Sequence, residues 1–160
     1  DLMHKAGAMR EYKLDIVVPE ALGEDFINVP AGVDLDLDLR LESVHEGILA
    51  TGEIFAEAKT MCSRCLEDMN LKIEVDFQEL FAYSYSSDDE LLVTNEHIDL
   101  EQVVIDSVVL SLPFQPVCNK DCLGLCVECG FRLSEEPEHK HENVVDPRFE
   151  ALKDLLSKEE

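Results

Sequence analysis

Six cysteines carry the residues of this chain best suited to chemistry, and they fall in two groups. Cys62 and Cys65 form a C-x-x-C pair within Met61-Cys62-Ser63-Arg64-Cys65-Leu66. Cys118, Cys122, Cys126 and Cys129 follow with the spacing C-x3-C-x3-C-x2-C, and Gly130 comes directly after the last of them. Two thiolates spaced C-x-x-C can point at one cation, as in a zinc knuckle, and four can close a tetrahedral site. A glycine after the second cysteine frees the backbone to turn its amides toward sulfur. Two metal geometries are open: a site made by Cys118, Cys122, Cys126 and Cys129 alone, or a split site joining Cys62 and Cys65 to Cys126 and Cys129. Either implies about one zinc per chain. His139 and His141, in Glu138-His139-Lys140-His141-Glu142, are further candidate ligands, although a solvated polar loop is the simpler reading of them.

Other thiol chemistries fit less well. A redox pair belongs at the start of a helix near a βαβ unit, and no such unit is legible around Cys62. Cys122, Cys126 and Cys129 also match the C-x3-C-x2-C spacing of radical iron–sulfur enzymes, but those need a large barrel around the cluster, which 160 residues do not supply. Phosphate-binding loops, nucleophile elbows and H-E-x-x-H motifs are missing from the sequence. A non-catalytic role is therefore expected.

The elements that position the cysteines are mostly strands. Val33, Leu35, Leu37, Leu39 and Leu41 alternate with Asp34, Asp36, Asp38, Arg40 and Glu42, the period-two signature of a strand with one wet face. Weaker alternation marks Tyr12 to Val18. Ile48–Lys59 and Leu71–Phe77 read as a hairpin with Cys62 and Cys65 at its tip. Gly23 and Val29-Pro30-Ala31-Gly32 read as turns. Residues 84–97 are polar, with a short strand expected at Leu91–Val93. Asp99 with Gln102 predicts a capping box, and the helix it starts must stop before Pro113. Asp146-Pro147 predicts a second helix with Phe149, Leu152, Leu155 and Leu156 as its stripe. The expected fold class is α+β: a curved antiparallel sheet with covering helices and a cysteine-rich, metal-binding C-terminal segment. The body spans 1–117 with one helix, and 118–160 holds the cysteines and the last helix, in one compact unit.

Charge narrows the partners. The formal net charge is −23, and residues 61–117 hold 12 Asp or Glu against Arg64 and Lys72. Nucleic-acid affinity depends on Lys and Arg neutralising phosphates, so broad RNA contact is disfavoured and a basic protein is the favoured partner. Its expected surface is Asp34, Asp36 and Asp38. Direct RNA contact would have to use Lys120, Arg132, Lys140, Arg148 and Lys153. The first residues have no apolar run of signal-peptide type and no segment is long enough to span a bilayer, so a cytoplasmic location is expected.

Cys62-Ser63-Arg64-Cys65-Leu66-Glu67, Leu112-Pro113-Phe114-Gln115-Pro116-Val117-Cys118, Asp121-Cys122-Leu123-Gly124-Leu125-Cys126-Val127-Glu128-Cys129-Gly130 and Asp146-Pro147-Arg148-Phe149-Glu150-Ala151-Leu152 together resemble the YceD family, the large ribosomal RNA subunit accumulation proteins. The order and spacing agree over nearly the whole chain, including Ala6-Gly7-Ala8-Met9-Arg10. His139 and His141 stand where many relatives carry Cys-x-Cys. The resemblance implies a bacterial cytosolic factor needed for accumulation or processing of large-subunit ribosomal RNA, and it implies no established catalytic activity. Combined with the charge, it implies action through a basic ribosomal or assembly protein, with a direct RNA-binding zinc protein as the alternative.

Overall fold

The alternating leucines and aspartates do make a strand, and the rest of the sheet assembles around it. The computed structural model describes residues 2, 5–84 and 91–141. Its elements run β1 (Met9–Val17), β2 (Leu22–Glu24), β3 (Ile27–Val29), β4 (Asp34–Ser43), β5 (Gly47–Met61), β6 (Asp68–Ala82) and α1 (Glu101–Ser111). All strand pairings between these elements are antiparallel. β5 is central. β6 pairs with it from Gly47↔Ala82 to Met61↔Asp68. On its other edge β4 takes residues 48–55, and β3 takes the far end at Lys59 and Thr60. β1 closes the β4 side, paired from Met9↔Glu42 to Val17↔Asp34.

Leu35, Leu37 and Leu39 of β4 are buried, together with Ile54 of β5 and Phe77 and Phe81 of β6. Helix α1 covers this apolar face through Val104 and Val108. The opposite face carries the aspartates of β4. Buried polar groups are bonded: Ser43 meets the Tyr83 hydroxyl at 3.1 Å, and the Thr60 hydroxyl donates to the Phe26 carbonyl at 3.0 Å.

The β2–β3 hairpin stands where the sequence suggested only turns. Its strands have three residues each, too few to register as a period, and the pairing of β3 with β5 holds the hairpin in place. The capping box does not form. Asp99 Oδ1 accepts from the Glu101 amide at 3.0 Å, but Gln102 donates to Asp106 on the next turn instead. Among the described residues there is one helix, the one expected after Asp99. The helix expected after Asp146 lies outside the described residues. No helix is long and apolar enough to cross a membrane among those residues.

Candidate metal centres

The tip of the long β5–β6 hairpin is a tight knuckle. After Met61 pairs with Asp68, the Cys62 amide donates to the Glu67 carbonyl at 2.8 Å and the Leu66 amide to the Cys62 carbonyl at 2.9 Å. Leu66 takes φ 57° to make the turn. The Ser63 amide and hydroxyl both donate to the Pro116 carbonyl, at 2.8 and 2.9 Å. Arg64 Nη1 reaches the carbonyls of Lys120 and Cys122 at 3.3 and 3.0 Å. These bonds seat the segment after α1 on the hairpin tip, and they bring four thiols together. Cys62 Sγ lies 3.8 Å from Cys122 Sγ, and Cys65 Sγ lies 3.8 Å from Cys118 Sγ. A disulfide needs about 2.05 Å, and all six cysteines are free. Tetrahedral zinc with bonds of about 2.3 Å would set its sulfurs about 3.8 Å apart.

The electrostatics of this inner group suit a cation. Amides of Cys65 and then Cys118 donate to Cys62 and hold its thiol down at about 6. Such donation favours the charged form. Cys118 is pushed up to about 12, first by the neighbouring Cys122 and then by burial, and burial chiefly raises Cys65. One thiolate is therefore stabilised by the backbone while its neighbours resist ionising beside it. A bound cation would remove that resistance.

The chain then turns away. Gly124, at φ 76°, packs so closely that a Cβ there would lie 3.0 Å from the Arg64 carbonyl oxygen. The Leu125 amide donates to that same carbonyl at 3.1 Å. Leu125 forms an antiparallel bridge with Arg132, and the short ribbon so formed carries a second knuckle. The Cys126 amide donates to the Phe131 carbonyl at 2.7 Å and the Gly130 amide to the Cys126 carbonyl at 2.8 Å. Gly130 sits at φ 72°. Amides of Cys129 and Glu128 lower the Cys126 thiol to about 6. His139 and His141 return to this knuckle. Their Nε2 atoms lie 3.3 and 3.2 Å from Cys129 Sγ and 3.0 Å from each other.

Each group of four donor atoms lies within 4.8 Å of one another: Cys62, Cys65, Cys118 and Cys122 in one, Cys126, Cys129, His139 and His141 in the other. The grouping differs from both arrangements read from spacing. Cys118, Cys122, Cys126 and Cys129 do not converge, because the turn at Gly124 carries the last two onto a separate ribbon. Cys62 and Cys65 do not face Cys126 and Cys129 either, because the segment seated by Ser63 and Arg64 fills that position. His139 and His141 sit among the candidate donors. The legible signal was their His-x-His spacing within reach of a C-x-x-C.

Asp34 and Asp36 are exposed, and Asp38 is half-buried and bonded to Lys13 Nζ at 2.6 Å. In register across the sheet, Asp15, Asp36 and Glu74 share one row, and Asp38, Glu53 and Asp76 the next. Of the cations considered for RNA, Lys120 and Lys140 are exposed and Arg132 is paired with Glu67. Arg148 and Lys153 lie outside the described residues.

An uncharacterized protein of Mycobacterium tuberculosis is 44% identical over 99% of this chain and 79% of its own length. One from Mycobacterium leprae is 40% identical over 85% of the chain and 65% of its own length. The uncharacterized protein YlbN of Bacillus subtilis is 27% identical over 82% and 77%. No solved structure matches. A family model described as large ribosomal RNA subunit accumulation protein YceD matches residues 50–156, which include most of the hairpin, both knuckles and both histidines. The chain belongs to the YceD family.

Proposed function

We propose that the protein is a non-catalytic accessory factor for accumulation or processing of large-subunit ribosomal RNA, acting in the cytoplasm by binding a basic ribosomal or assembly protein. Membership of the YceD family carries the ribosomal part of this reading. Within it, Cys62, Cys65, Cys118 and Cys122 hold zinc as a structural pin. An all-thiolate tetrahedral set selects zinc or iron–sulfur chemistry, and four protein donors leave no open position for a substrate. The inner zinc would fasten the segment 116–122 to the sheet, because its ligands come from both.

The partner surface is the acidic sheet face. Its two rows of carboxylates span four strands, and Lys13 and Arg40 are each already paired with a neighbouring carboxylate. That face repels phosphate and attracts basic protein. Replacing Asp34, Asp36 and Asp38 together by Asn keeps the size and pattern of β4. Association with proteins stripped from large ribosomal subunits should slow on the order of tenfold at low salt. The difference should shrink as salt rises, because screening acts over about 8 Å at physiological ionic strength. Binding that is unchanged in the triple variant rejects this surface. Binding to protein-free large-subunit ribosomal RNA, with none to the stripped proteins, replaces it with direct RNA contact.

A further inference from the structure

We propose that Cys126, Cys129, His139 and His141 form a second, separate zinc centre, so that each chain carries two zinc ions in unlike coordination. The first support is the backbone. In both knuckles the amide of the first cysteine donates to the carbonyl five residues on, and the amide four residues on donates back to the first cysteine. In both, the residue after the second cysteine takes the left-handed conformation, Leu66 at φ 57° and Gly130 at φ 72°. The sheet accounts for the turn at the first knuckle, since it closes the β5–β6 hairpin. No long hairpin closes at the second, yet the same turn is built there.

The second support is the orientation of the imidazoles. Nε2 of both histidines faces the Cys129 sulfur, and Nδ1 of each faces a carboxylate: Glu136 Oε2 at 3.9 Å from His139 and Glu128 Oε2 at 3.5 Å from His141. Carboxylate, histidine and metal in series is the usual way an imidazole ligand is oriented and made more basic. The His139 ring is also stacked on Phe131, with centroids 4.7 Å apart. Sulfur-to-nitrogen distances of 3.2 and 3.3 Å are close to the ~3.5 Å edge of a zinc site with Zn–S of about 2.3 Å and Zn–N of about 2.0 Å. Both imidazoles are thus turned toward the Cys129 sulfur at close to ligand spacing, and the His139 ring packs on Phe131, which a solvated loop would not require.

The consequence is local. Residues 126–141 contribute none of the buried apolar core, and Val127 is fully exposed. Metal ligation would supply the folding energy that a hydrophobic core otherwise provides.

Native mass spectrometry of the full chain purified with zinc tests this. The expected mass increment corresponds to two zinc ions, falling to one in His139→Ala/His141→Ala, with β-sheet circular dichroism unchanged. Cobalt substitution of the unaltered protein gives an independent reading: two cobalt ions bind, one with the absorption of four thiolates and one with that of two thiolates and two nitrogens. Two zinc ions retained in the double variant overturn the proposal. So does a single zinc in the unaltered chain. If that single zinc is lost with Cys62→Ser, the inner centre stands and only the second falls.

Discussion

The knuckle at Cys62 and the knuckle at Cys126 have the same backbone hydrogen bonds and opposite surroundings. The first ends a pair of strands of 15 residues each. Its thiols Cys62 and Cys65 are 0% and 9% exposed, whereas Cys129 is exposed and Cys126 half-buried. The first draws its other donors from a segment 53 and 60 residues away in sequence, the second from 10 and 12 residues away. Long-range ligation ties distant parts of a fold together. Short-range ligation closes only its own loop. The same local device therefore does different work, and the two should fail differently.

The largest effect is expected from Cys62→Ser. Structural zinc contributes on the order of 10 kcal/mol to the segments it joins. Loss of the inner metal should release 116–122 from the hairpin tip. Hydrogen exchange should then accelerate at the Ser63 and Leu66 amides, and thermal unfolding should occur at a markedly lower temperature. A smaller and more local effect is expected for Cys126→Ser. The ribbon should lose its metal and its protection at the Gly130 amide, with the unfolding of β5 and β6 unaffected. If both variants lower sheet stability equally, the distinction drawn between the knuckles is wrong.

Finer substitutions sharpen the contrast. Leu66 occupies a left-handed position that costs a side-chain-bearing residue about 1–2 kcal/mol, and Gly130 shows the residue that relieves it. Leu66→Gly should raise stability in urea by up to ~1 kcal/mol, the gain being reduced by the greater freedom of glycine in the unfolded chain. Gly130→Ala should act in the reverse sense and weaken zinc retention by the ribbon during chelator titration. The smallest change is expected at the Glu67–Arg132 pair, which joins the two knuckles across the surface. Both side chains are nearly half exposed, so Glu67→Gln should cost at most about 0.5 kcal/mol. A larger loss in denaturant titration would mean that the ribbon is coupled to the sheet more tightly than surface charge allows.

Local pattern and tertiary placement divide the origins of these features. The alternation in residues 33–42, the hairpin tip at Cys62 and Cys65, and the end of α1 before Pro113 all follow from chain-local rules: side-chain period, turn chemistry and a missing amide. The knuckles were legible for the same reason, since C-x-x-C and its following turn are local. The β2–β3 hairpin was not, because its strands have three residues each and it is held through β3 by Thr60 and Lys59 of β5 rather than by its own pattern. The assignment of donors to centres was hidden for a related reason. Four cysteines in a run satisfy a spacing argument equally well together or apart, and the turn at Gly124 separates them only because the Arg64 carbonyl is there to receive the Leu125 amide. Sequence by itself determined which donors exist and how each pair is presented. Which pairs face one another was decided by the docking of 116–122 on the hairpin and by the return of His139 and His141, because ligation depends on distances in space that separation along the chain does not set.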